Sequence, residues 1–176
     1  MDLGSRKSID EFVKEIKSRY QKIDYLINNA GVMMVPDRRT TADGFEMQMG
    51  INHIGHFYLT SQLWDLMKNT TDLRIVNVSS LAHKGFMGPK CALNFDNLNL
   101  EQGYSAQLAY QNSKLANVLF AQELAERLQK INPSARCVSL HPGVVDTELS
   151  RYLSEGKEWI FKLVHPLMSL FMKTAQ

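Results

Sequence analysis

Cysteine is scarce in this chain, with two in 176 residues. Cys91 and Cys137 share neither a metal-ligand nor a redox spacing. A disulfide framework is therefore not what organises the fold, and free thiols in a reducing compartment are expected. Charge of one sign is also lacking, because 20 basic and 18 acidic residues leave a net +2. That balance, with the basic residues scattered, excludes a nucleic-acid groove and an acidic tail. No apolar run reaches the ~20 residues that cross a bilayer. The nearest is Trp159 to Met172, interrupted by Lys162, His165 and Pro166. It reads as a core-facing or pocket helix, with peripheral contact to a membrane surface as the alternative. The opening MDLGSRKSIDEF is polar and charged, unlike a secretory signal. The expected location is the cytoplasmic side, soluble or membrane-associated.

What is present alternates. Ser8 to Tyr20 places Ile9, Phe12, Val13 and Ile16 on one helical face, with Ser8 as the expected N-cap. Ile23 to Ile27 is a short apolar run ending in NNAG, a buried strand entering a tight turn. Thr41 to Met67 reads as mostly helical, and its Gly44, Gly50 and Gly55 would permit close approach. Leu73 to Val78 is a second buried strand, ending in Ser79 and Ser80. Leu81 to Gln102 reads as a long loop. Tyr104 to Gln129 carries the strongest helical period, and Ala135 to Leu140 is a third buried strand ending in HPG. A further helix is expected over Ser154 to Met172. The hydrophobic content of 44% fits a single domain spanning residues 1–176. Strands and helices alternating in this way predict an α/β fold, a Rossmann-like parallel sheet with helices on both faces. In such sheets chemistry gathers at the C-terminal strand ends.

Tyr110 and Lys114 stand one helical turn apart in YQNSK, so both side chains share a face. Tyrosine is a poor acid or base at neutral pH, with a free pKa of about 10. A fixed cation beside it favours the phenolate, and a lowered phenol can exchange a proton with an alcohol or carbonyl oxygen. The bland reading of the pair is a solvated helix face. Ser79 and Ser80 could simply cap a helix, and NNAG could be an ordinary turn. His53 and His56 are one turn apart, but no third ligand accompanies them, so no metal site is expected.

Four segments appear in order: NNAG at Asn28 to Gly31, INHIGHF at Ile51 to Phe57, VNVSS with YQNSK, and HPGVVDT at His141 to Thr147. Together they resemble the short-chain dehydrogenase/reductase family over essentially the whole chain. NHIGHFYLT, LAYQNSKLANVLF and SLHPGVVDTEL are most similar to its retinol-dehydrogenase-like branch. The resemblance implies a short-chain oxidoreductase that interconverts an alcohol and a carbonyl by hydride transfer with NADP or NAD, with NADP favoured. Tyr110 would be the general acid/base. Lys114 would lower its pKa and hold the ribose hydroxyls. Ser80 would bond the substrate oxygen, and Asn52 would hold a water linking Lys114 to solvent. Asn28, Ala30 and Gly31 would line the middle of the cofactor. Pro142, Gly143, Val145 and Thr147 would cup the nicotinamide, Val145 through its backbone. Asp2-Leu3 resembles the step that touches the adenine ring. A lipophilic substrate such as a retinoid is implied, as is a homodimer through the Tyr104 to Gln129 helix. For a longer parent the endoplasmic reticulum is an expected location.

No GxxxGxG or GxGxxG precedes Asn28. Compared with the family, the first strand, its glycine-rich turn, the following helix and strand, and most of the third strand are missing before Met1, and a helix and final strand after Gln176. The chain is accordingly expected to be a partial domain with no measurable cofactor affinity and exposed sheet edges, inactive in isolation. The alternative function is a catalytically silent product that acts as a partner-binding or regulatory module.

Overall fold

The computed structural model describes residues 1–85, 91–143, 145–146 and 173–174. Chain order runs α1 (Arg6–Arg19), β1 (Tyr25–Asn28), α2 (Met47–Met49), a π turn (Gly50–Ile54), α3 (Gly55–Gln62), α4 (Trp64–Met67) and β2 (Arg74–Val78). Two 3-10 turns follow, Leu81–Lys84 and Phe95–Asn97, then α5 (Ala106–Ile131) and β3 (Arg136–Leu140). Two-residue strands β4 (Val145–Asp146) and β5 (Lys173–Thr174) pair in parallel with each other.

The strands β1, β2 and β3 form a parallel sheet in that order. Asn28 stands opposite Asn77, and Asn77 opposite Ser139, so the three C-terminal ends are level. One face of the sheet packs under the helices. Ile9 and Val13 of α1, Leu59 of α3, Met67 of α4, and Ala121 and Leu128 of α5 close on Ile75 and Cys137 there. Among the described residues the helices cover this face alone. On the other, Tyr25 is 71% and Ile27 63% exposed, and Val138 and Leu140 are also exposed. The strands are apolar on both faces, as a doubly covered sheet requires, but burial is seen on one. Fully burying one such side chain stabilises by roughly 1.5–3 kcal/mol, a gain absent on the open face.

Local signals moved some boundaries. Ser5, not Ser8, caps α1: Ser5 has the extended backbone an N-cap needs, and its Oγ accepts from the Ser8 amide at 3.3 Å. Helix begins at Met47 and not at Thr41, because Glu46 caps it through both carboxylate oxygens, accepting from the Gln48 and Met49 amides at 3.0 and 2.7 Å. Residues 41–46 form a turn ahead of it. Ser105 caps α5, which runs two residues later at each end than its periodicity implied. The expected helix over Ser154 to Met172 lies outside the described residues.

The segment after NNAG is fastened to the start of α5. Met34 has a left-handed φ of 57°. Its amide donates to Gln48 Oε1 at 2.8 Å, Gln48 Nε2 donates to Ala106 O at 2.9 Å, and Tyr104 OH donates to Val35 O at 2.6 Å. These bonds fix one end of the helix that carries Tyr110.

Candidate active site

The level strand ends place Asn28, Ser79 and Ser80 beside the first half of α5. Here the helix is buried on every side, from Ala109 through Lys114. Tyr110 is 6% and Lys114 3% exposed, so the solvated-face reading of YQNSK is excluded. Ser80 bonds the Tyr110 hydroxyl. Its own Oγ also accepts from the Ala82 amide at 3.2 Å. Capping a 3-10 turn and facing Tyr110 are thus the work of one side chain. Ser79 Oγ donates to the Lys114 carbonyl at 2.7 Å and ties β2 to α5.

The Lys114 ammonium donates to Val78 O at 3.1 Å and lies 5.6 Å from the centroid of the Tyr110 ring. Burial lowers the Lys114 pKa to about 8. Burial likewise raises the Tyr110 phenol, with the Ser80 hydrogen bond pulling it part of the way back. This differs from the expected lowering by Lys114. In a dry site desolvation outweighs the lysine, which itself is less inclined to be charged.

Asn52 is bonded at every polar atom. Its Oδ1 accepts from the Val32 amide at 2.8 Å; its Nδ2 donates to Val32 O and to Ser113 Oγ, both at 2.9 Å. Its carbonyl lies in the π turn and accepts from Asn117 Nδ2 at 3.0 Å. His56 Nδ1 is 3.0 Å from the same carbonyl, which can only accept, so Nδ1 carries the proton. Both lone pairs of the Asn52 carbonyl thus face protein donors. Gly31 is pressed against this centre: a Cβ there would come within 2.8 Å of Asn52 Oδ1 and 3.8 Å of Lys114 Nζ. NNAG is therefore more than a turn, since its glycine gives Asn52 and Lys114 room.

Asn28 is buried and spans the sheet. Its Nδ2 donates to Asn77 Oδ1 at 2.9 Å and Thr60 Oγ1 at 3.2 Å, and its Oδ1 is buried without a partner. Ala30 is exposed beside it. Beyond β3, Pro142 is exposed, and Gly143 has a left-handed φ of 93°. Val145 is described as backbone in β4. Thr147 lies outside the described residues. Asp2 accepts from the Gly4 amide at 2.8 Å through Oδ1. His53 bonds Asn117 and stacks with Phe57 and Phe120, and His56 is buried against Asn52; both histidines are committed to packing. Among the described residues no three His, Cys, Asp or Glu side chains cluster as metal ligands. Cys91 and Cys137 are both free thiols.

Sequence reasoning missed Asn117, Ser113 and Gln48. Asn117 had a signal: it stands three residues after Lys114 and seven after Tyr110, a polar residue on the helix face otherwise filled by Ala121 and Leu128.

A level-ended parallel sheet under helices, with a buried Tyr-Lys pair and a serine at its C-terminal edge, is a Rossmann-like α/β arrangement. The sequence model of the short chain dehydrogenase family matches residues 1–92, and the chain belongs to that family. It is 47% identical over 176 residues to retinol dehydrogenase 11 of Homo sapiens, covering 100% of this chain and 51% of that protein. It is 44% identical over 178 residues to human retinol dehydrogenase 13, covering 100% and 51%. The chain spans about half the length of the curated relatives it matches. A crystal structure of an uncharacterised protein from Mycobacterium paratuberculosis superposes with a TM-score of 0.70 at 38% identity, covering 92% of this chain and 56% of that one. An NAD complex of a 3-oxoacyl-[acyl-carrier protein] reductase from Brucella melitensis shares the fold, with a TM-score of 0.63 at 20% identity and 93% and 60% coverage. No helix among the described residues is long and apolar enough to cross a membrane.

Proposed function

We propose that this chain carries the proton-transfer half of an oxidoreductase that interconverts an alcohol and a carbonyl, with NADP or NAD as the hydride partner. The observation that carries this reading is the buried hydroxyl of Tyr110, bonded to Ser80 and set beside the Lys114 amine. Tyr110 gives its proton to the carbonyl oxygen in reduction and takes it back in oxidation. Ser80, already bonded to the phenol, holds the same oxygen and stabilises its developing charge. Lys114 and Tyr110 offer adjacent donors on one helix face, which suits a vicinal diol such as the ribose of the nicotinamide half. The unpartnered Asn28 Oδ1 at the level strand ends also suits a bound polar cofactor. Asn28, Ala30 and Gly31 would line its middle, and Pro142, Gly143, Val145 and Thr147 its nicotinamide end. When bound, the nicotinamide supplies the hydride. The chain's own residues bind, orient and exchange one proton at the substrate oxygen.

The retinol dehydrogenases among its relatives support a lipophilic substrate of retinoid type. The test is NADPH- and NADH-dependent reduction of a retinoid aldehyde and of a short aldehyde by the protein, purified with whatever sequence flanks Met1 and Gln176 in its native transcript. Turnover with the retinoid, lost in Tyr110→Phe, is expected. Turnover unaffected by that substitution would end the mechanism.

A self-pairing surface on α5 also belongs to this reading. Phe57, Trp64, Phe120, Leu124 and Ile131 line an apolar groove of about 670 Å³ between α3, α4 and α5. Phe57 and Phe120 meet edge to face at 5.3 Å, and a second copy of α5 would cover them.

A further inference from the structure

Lys114 does not hold its acceptor alone. Asn117 Nδ2 donates to the same Val78 carbonyl at 3.2 Å, while Lys114 Nζ donates to it at 3.1 Å. The same Nδ2 reaches Asn52 O at 3.0 Å. Asn117 Oδ1 lies 3.1 Å from His53 Nδ1. With both amide protons spent on carbonyls, Oδ1 must accept, so the His53 proton sits on Nδ1 and fixes the orientation of the amide. Asn117 is 2% exposed. It therefore joins the end of β2, the π turn and α5 at the point where the lysine is anchored.

We infer that Asn117 is a positioning residue for the Tyr110–Lys114 pair: its amide shares the Val78 carbonyl with the lysine and fills the Asn52 carbonyl, limiting the acceptors left to the ammonium. The inference rests on the oxidoreductase reading for its purpose but not for its geometry. A carbonyl shared between two donors supports a cation less than one given to it alone, and an Asn52 carbonyl filled by an amide leaves no acceptor there for the ammonium. Burial is what lowers the Lys114 pKa to about 8, and within that dry seat the shared carbonyl is the acceptor the ammonium has to compete for. The titratable groups facing this seat are Tyr110 from α5, and His56 and His53 from the α3 side.

The test is competitive amine labelling of Lys114 against pH, read by mass spectrometry on the full chain, which needs no turnover. Asn117→Leu keeps the volume and the dryness but removes both donors. The labelling midpoint is expected to lie above the parent's, because Val78 O is then left to the ammonium alone. A residue that only fills space would leave the midpoint where it is, and that result in a folded variant would overturn the inference. Should Asn117→Leu not fold, Asn117→Ala is read the same way, with the same two outcomes. Failure of the protein to bind any nicotinamide would end the oxidoreductase reading and leave the labelling result standing on its own.

Discussion

Asn28 and Asn77 face each other across β1 and β2, and the amide of the first donates to the amide oxygen of the second at 2.9 Å. Asn77 in turn reaches the Cys137 thiol at 3.5 Å, so a buried polar line crosses all three strands just below the site. Asn28→Leu would leave Asn77 Oδ1 without this donor in an apolar interior. A loss of about 1–3 kcal/mol in urea unfolding is expected, and it should be smaller in an Asn77→Val background, where there is no orphan to leave. Equal losses in both backgrounds would show that the bond is not what holds the strands.

Tyr110→Phe removes the transferable proton but neither Lys114 nor the strand-end surface. In the native protein, turnover should vanish while nicotinamide binding, followed by fluorescence, stays nearly unchanged. Ser80→Ala removes one donor from the substrate oxygen and should lower kcat by about 10²–10³-fold. It also removes the cap of the Leu81–Lys84 turn, so its unfolding midpoint should be measured beside its rate.

Lys114 is held at a cost to stability. Its folded pKa is lowered to about 8 from 10.5. A lysine depressed in this way contributes full stability only above its unfolded value, and that contribution is lost as pH falls to the folded one. At pH 7 the buried cation therefore destabilises the fold, by up to about 3 kcal/mol. Lys114→Met should be more stable than the parent at pH 7, although it should lose turnover. A variant less stable at pH 7 would show that the bond to Val78 outweighs the burial.

His56 works in the acid range. Burial lowers it to about 4 from 6.5, and its Nδ1 proton is already given to Asn52 O. Between those values the unfolded chain binds the proton and the folded chain does not. Stability should fall as pH drops from about 6.5 to 4, by about 3 kcal/mol from this group. The buried Glu46 carboxyl, raised by desolvation, acts in the opposite sense, losing stability as pH rises. The clean measurement is thus the difference between parent and His56→Leu across that window. The variant should show the shallower slope.

The groove between α3 and α5 predicts a concentration-dependent dimer in sedimentation. Phe120→Glu should shift it to monomer, and its unfolding midpoint should be read alongside, since Phe120 also packs edge to face on Phe57 and His53. An unaltered dimer would move the pairing surface elsewhere.

The elements that short-range chemistry dictates were legible. Ile9 and Val13 recur at helical spacing and are buried, and the three apolar runs became the three strands within a residue or two. The family resemblance of the four segments singled out Tyr110, Lys114, Ser80 and Asn52, and the structure sets Tyr110 beside Ser80 and Lys114. Harder to read was the direction of the pKa balance. One turn of helix shows that Lys114 is near Tyr110, but not that both sit where water is excluded. The five bonds of Asn52 were hidden for a similar reason. They depend on Val32, Ser113, His56 and Asn117, which converge from three separate parts of the chain. The Gln48 brace was hidden too, because its partners Met34 and Ala106 are fourteen residues before it and fifty-eight after it.

The π turn at Gly50–Ile54 is in effect a helix carrying one residue more than a regular spiral would. The extra residue is absorbed inside the turn, so the helix beyond it, from His56 onward, keeps the face a regular spiral would give it. What the turn changes is local: it widens the helix around Asn52, whose carbonyl meets Asn117 and His56. Excising one residue there would heal the spiral and leave Leu59 and Thr60 where they are, while the carbonyl that joins the turn to α5 would lose its place.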